Sequence, residues 1–117
     1  MTQRRVLHDE YFKRAKAEGY LARSAYKLKE IQERNRLIKP GMAVVDLGCA
    51  PGSWLQVARE LVGERGIVVG IDLQPVEHDI APNVKTIVGD IFKTDATTLL
   101  PDPSAKFDIV RQQKKRY

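Results

Sequence analysis

The chain has 117 residues, 43% apolar and 30% charged, with a net charge of +5, which fits a single ordinary globular domain. No apolar run nears the ~20 residues of a membrane span. The charged start MTQRRVLHDEYFKRAKAEGY lacks the apolar centre of a signal peptide, and the lone Cys49 excludes an internal disulfide. A cytoplasmic location is therefore expected, with no membrane partner.

The charge is unevenly spread. Residues 1–40 carry a net +6, residues 41–110 a net −5, and residues 111–117 four basic side chains and no acid. A basic arm of this kind neutralises phosphates of a polyanion or forms a solvated lysine-rich face. Residues 9–36 are expected to be helical in two pieces. Tyr11, Phe12 and Ala15 share one face, Gly19 interrupts, and Ser24 caps a second helix reaching about Arg36. In that helix Leu28 and Ile31 are apolar neighbours, and Lys27 lies at the edge of their stripe. Pro40 and Gly41 close the segment.

The period then changes. Ala43 to Leu47 is a β-branched, nearly all-apolar strand, and Ser53 to Val62 an amphipathic helix closed by Gly63 and Gly66. Ile67 to Ile71 and Val84 to Val88 are two more strands, both expected to be buried. Asp95 to Leu100 is a short helix capped by Thr94 or Asp95, and Phe107 to Val110 begins a fourth strand. The tail RQQKKRY is too polar to continue a buried strand. Apolar strands separated by helices or loops imply a parallel sheet in a doubly wound α/β fold. The expected strand order is 3-2-1-4, with the fourth strand an exposed edge that invites self-association.

Ligands of such sheets sit beyond the carboxyl ends of the strands. Asp46 to Trp54, DLGCAPGSW, falls there. Gly48 and Gly52 permit a tight turn, Pro51 stiffens it, and the helix that follows points its N-terminus at the ligand. A dinucleotide would favour G-x-G-x-x-G, but the window GCAPGS has Ala50 and Ser53 at its third and sixth positions. S-adenosylmethionine has no phosphate and carries two cations, which a carboxylate such as Asp46 suits. Asp72 ends the second strand, where an acid accepts ribose hydroxyls. Asp90 follows the third strand and is placed to accept an adenine amino group, with Ile91 or Phe92 walling the ring. Each aspartate has an alternative use as a cap or turn former, and Trp54 as a core residue. His8 and His78 lack metal-ligand spacing, and no metal site is expected.

The stretches EGYLARSAYKLKEI, DLGCAPGSWLQVA, GIDLQP and GDI closely resemble the FtsJ/RlmE family over about residues 9–110. The helix ahead of the first strand makes the resemblance specific. These are S-adenosylmethionine-dependent ribose 2′-O-methyltransferases of large-subunit ribosomal RNA. The resemblance implies a Rossmann-like methyltransferase domain over 1–117. Its parts are a basic helical extension (1–40), a cofactor-binding α/β core (41–110) and a basic tail (111–117). It implies cofactor contacts by Gly52, Trp54, Asp72 and Asp90, and the candidate set comprises these with Asp46, Gly48, Pro51, Ser53, Leu73 and Ile91. It places Lys27 in a Lys-Asp-Lys-Glu catalytic set and makes ribosomal RNA the partner, probed at a uridine ribose. Two departures stand out. Ser53 replaces a second glycine, and RQQKKRY stands where the family has a Ser-Asp-Met-Ala-Pro-like loop bearing the catalytic aspartate. The second lysine, the glutamate and the last strands have no counterpart, so weak or absent methyl transfer is expected. The alternative is a non-catalytic RNA-binding module built on the basic arm and tail.

Overall fold

The computed structural model describes residues 16–100 and 106–112. The expected face of Tyr11, Phe12 and Ala15, His8, and the tail beyond residue 112 lie outside the described residues.

Helix α1 runs Ala25–Asn35 and buries Ala25 and Leu28. Ser24 occupies the N-cap position, but its side chain makes no cap bond. Its hydroxyl instead meets Ser53 Oγ at 2.7 Å on the next helix. Arg36 ends α1 in the left-handed region (φ 47°), its N–H reaching Gln32 O at 2.7 Å. The Gln32 side chain then accepts from Ile38 N (2.9 Å) and donates to Ile38 O (2.6 Å), fixing the link into the sheet.

Strand β1 is Ala43–Leu47 and helix α2 is Ser53–Val62. Strand β2 is Ile67–Asp72, one residue longer than expected, and β3 is Val84–Val88. A 3-10 turn covers Ala96–Leu99, with the Asp95 carboxylate accepting from Thr97 N as its cap. Bonds from the Thr97 hydroxyl and N–H hold the Asp95 carboxyl below its ordinary range. Strand β4 is Ile109–Gln112.

The sheet is all parallel, in the order β3-β2-β1-β4. The fold is thus the expected Rossmann-like α/β arrangement. Its register sets Thr86, Gly70, Asp46 and Arg111 in one row across the sheet. On one face Leu55, Val57, Ala58 and Val62 of α2, with Ala25 and Leu28 of α1, pack on Val44 and Val68. Val45, Val69 and Ile71 alternate with these and are buried on the other face.

Two expectations need correction. Strand β3 is only partly buried, and Val88 is 61% exposed. It pairs with β2 alone and lies at the rim of the sheet, where its faces are incompletely covered. Arg111 and Gln112, the first two residues of RQQKKRY, continue the fourth strand in register with Asp46 and Leu47 despite their polarity. An edge strand tolerates polar residues that a central strand would not. Asp108 pins the start of β4: its N–H donates to Ala43 O, and its Oδ2 accepts from Ala43 N, each at 2.8 Å.

Candidate cofactor site

The loop after β1 is folded back onto the end of β2. Ile71 O accepts from Gly48 N (2.6 Å) and Cys49 N (3.2 Å), and Gly89 N donates to Asp72 O (2.9 Å). The ends of three neighbouring strands are thereby tied side by side. The turn needs Gly48 at φ 88° and Gly52 at φ 120°, a backbone region costly for residues with a Cβ. At Gly52 a Cβ would also press within 3.2–3.3 Å of Leu21, Val76 and Ile80.

Asp72 is the organising acid. It is 1% exposed, with Oδ2 accepting from Ala50 N (2.9 Å) and Oδ1 from Gln74 N (3.0 Å). It therefore fixes the turn after β1 and the turn after β2 at once. Beside it, Ala50, Pro51, Gln74, Pro75, Glu77 and His78 line a hollow of about 350 Å³. Leu73 stands at the surface, 51% exposed. Asp90 and Ile91 are half-buried beyond β3. Asp90 Oδ1 accepts from Phe92 N at 2.9 Å and so shapes its own turn.

On the helical side, Ser53 is buried and bonded to Ser24, and Trp54 Nε1 donates to Ser24 O at 2.7 Å. These two residues bind α1 to the turn. Asp46 is buried in β1 and pairs with Arg111 of β4, Oδ1 to Nη1 at 2.7 Å. The Arg111 guanidinium carbon lies 3.3 Å from the centre of the Trp54 ring. Lys27 is exposed on α1, one turn beyond Ser24. The structure therefore gathers Gly48 to Trp54 with Asp72, and places Asp90 and Ile91 after the adjacent strand. Lys27 is joined to the turn only through its helix.

Further along, the Tyr20 hydroxyl donates to Glu60 (2.8 and 3.0 Å), and Lys29 Nζ lies 4.6 Å from the Tyr20 ring centre. Burial raises the Tyr20 hydroxyl above its ordinary pKa, and the bond to Tyr20 raises that of Lys29. Among the described residues, no group of three His, Cys, Asp or Glu side chains is placed to hold a metal ion. No described helix is long and apolar enough to cross a membrane.

Sequence reasoning missed Gly70 and Arg111. A Cβ on Gly70 would meet Cys49 Sγ at 2.7 Å and Leu55 at 3.0 Å, so this glycine makes room for the turn. The signal available was a glycine inside an apolar strand, which marks close approach. Arg111 carried only the signal of a polar tail.

Known proteins are similar to this chain in sequence and fold. The model of the FtsJ-like methyltransferase family matches residues 20–111. Ribosomal RNA large subunit methyltransferase E of Syntrophobacter fumaroxidans is 49% identical over 105 residues, 90% of this chain and 53% of that protein. The protein of the same name from Methanocaldococcus jannaschii is 46% identical over 106 residues, covering 87% and 43%. A ribosomal RNA methyltransferase of Plasmodium falciparum superposes with a TM-score of 0.68 at 30% identity, over 84% of this chain and 58% of that one. The chain spans about half the length of the curated relatives it matches. The matched span takes in α1, α2, β1 to β3, most of β4 and the Asp72-anchored turn, and on that ground the chain belongs to the FtsJ-like methyltransferase family.

Proposed function

We propose that this chain carries the S-adenosylmethionine-binding part of a ribose 2′-O-methyltransferase acting on large-subunit ribosomal RNA. One observation carries the reading. A buried aspartate at the carboxyl end of β2 holds a glycine turn through Ala50 N, and the two residues it bonds, Ala50 and Gln74, line an open hollow. This is where the fold presents an acid to a ribose. The family match and the names of the relatives support the reaction and the RNA target.

The cofactor would supply an activated methyl group. Asp72 would accept its ribose hydroxyls, and Gly48 to Ser53 would let it approach the backbone closely. Leu73 would flank it, and Asp90 with Ile91 would receive the adenine. Lys27 would orient the target ribose and compensate negative charge as its 2′-hydroxyl loses a proton. Its helix is fixed to the cofactor turn through Ser24 and Trp54, so the two halves of the reaction are held in one frame. A uridine ribose as the target rests on the family resemblance alone. The partner is ribosomal RNA, met by the basic residues of 1–40. A second copy joined along the β4 edge is a further partner, favoured by the exposure of Val110.

Calorimetric titration of the chain with S-adenosylmethionine, with NAD as control, tests this. Binding of S-adenosylmethionine alone is expected, weakened about tenfold or more by Asp72→Asn, which removes a charged acceptor. Preference for NAD would sink the reading. RNA binding with a steep salt dependence, without binding of S-adenosylmethionine, would establish the RNA-binding module instead.

A further inference from the structure

The two turns that flank the hollow at Ala50 and Gln74 carry acids and no cation. Ala50 and Pro51 come from the turn after β1, and Gln74, Pro75, Glu77 and His78 from the turn after β2. Residues 47–58 hold no charged side chain, and residues 66–84 hold Asp72, Glu77 and Asp79 with no lysine or arginine. Asp72 is buried, with its carboxylate on the N–H groups of Ala50 and Gln74. Glu77 lines the hollow itself and is exposed. Its carboxylate has no salt bridge among the described residues. A cleft walled by one sign of charge concentrates its field on whatever enters.

Candidate nucleoside ligands differ in charge. S-adenosylmethionine carries a sulfonium, an ammonium and a carboxylate, a net positive charge. The same molecule without the transferable methyl group, S-adenosylhomocysteine, is a thioether with no net charge. A phosphate-bearing nucleotide such as NAD is an anion and meets no cationic side chain in either turn. Resting on the reading that this hollow receives the cofactor, we infer that Glu77 is a specificity-determining residue. Its carboxylate favours the cationic S-adenosylmethionine over the uncharged thioether left after methyl transfer, and disfavours phosphate-bearing nucleotides. The preference acts on the charge of the ligand as a whole, so it needs no bond from Glu77 to any one ligand atom. It also eases departure of the spent cofactor, which leaves without the charge that Glu77 attracts.

The test is calorimetric titration of the chain and three variants with S-adenosylmethionine and with S-adenosylhomocysteine, with circular dichroism as the check on folding. Glu77→Gln keeps the size of the side chain and removes its charge. It is expected to weaken S-adenosylmethionine about threefold at low salt, the scale of one solvent-screened charge, and to leave S-adenosylhomocysteine within about 1.5-fold. Glu77→Lys changes the charge twice as far and should weaken S-adenosylmethionine about tenfold, again with little effect on S-adenosylhomocysteine. At about 0.5 M salt these differences should shrink below about twofold. Glu64→Gln removes an equal charge from an exposed site ahead of β2, at the other end of the strand from the hollow, and should move neither ligand by more than about 1.5-fold. Should Glu77→Lys fail to fold, Glu77→Gln and Glu64→Gln decide. Equal shifts for both ligands in Glu77→Gln, no shift in either, or the same shift in Glu64→Gln would overturn this role while leaving the cofactor reading intact. Binding of neither ligand by well-folded chain and variants would overturn both.

Discussion

Cys49 occupies the space that a side chain on Gly70 would need. Its Sγ lies 2.7 Å from where that Cβ would be built, and its Cβ lies at 3.0 Å. Both groups are walled in, since Cys49 and Leu55 are buried. Gly70→Ala is expected to destabilise the chain by about 1–3 kcal/mol, the usual range for overpacking. Urea denaturation would measure this. Cys49→Ala in the same chain removes the nearer obstacle and should recover part of the loss. A full-size loss in the double variant would show that Leu55 and the Cβ at position 49, and not the thiol, set the limit. Asp72 and the glycines of the turn were legible because their signal is local: an acid ending an apolar run, and glycines before a helix. Gly70, Asp108 and Arg111 were not, because each acts on a residue brought near only by strand register. Asp108, for one, bonds a residue 65 positions away.

At the level of elements, α1 and α2 are joined by polar bonds as much as by packing. Leu21 N donates to Gln56 Oε1 (2.8 Å), Gln56 Nε2 donates to Gly19 O (3.0 Å), and the Ser24–Ser53 and Trp54–Ser24 bonds continue the seam. Trp54→Phe keeps the apolar ring but leaves the Ser24 carbonyl without its indole donor. The Ser24 carbonyl keeps the bond from Lys27 N at 3.1 Å, so losing the indole bond costs about 0.5–1.5 kcal/mol, and the midpoint of thermal unfolding should fall accordingly. An unchanged midpoint would mean that water replaces the indole, and that Trp54 does not fasten α1 to the turn. The extents of α1, β1, α2 and the 3-10 turn were readable from periodicity, Gly63 and the Asp95 cap. The bond of Ser24 was not, because a serine before a helix reads as a cap wherever its hydroxyl finally points. The polar segment after Val110 was misread for a related reason: composition distinguishes buried from exposed, and an edge strand is half of each.

For the molecule as a whole, strand order was legible, since parallel apolar runs with one intervening helix leave few arrangements. The exposure of the two outer strands was less so. Val88 on β3 and Val110 on β4 are 61% and 64% exposed, and no further strand lies outside either among the described residues. Association along β4 is expected at high concentration, and Val110→Lys should reduce it. Sedimentation velocity would show this as a loss of concentration dependence. A monomer at every concentration would rule the association out. The pairing of β1 with β4 also sets a timetable. Ala43 and Asp108 are 65 residues apart, so at ribosomal rates of 5–20 residues per second β1 waits roughly 3–13 s for its neighbour. During that interval the β1–α2–β2 unit can close around Asp72 while Asp46 still lacks its guanidinium. The nascent polypeptide thus passes through a stage in which the Asp46 carboxylate has not yet met the guanidinium that balances it in the finished fold.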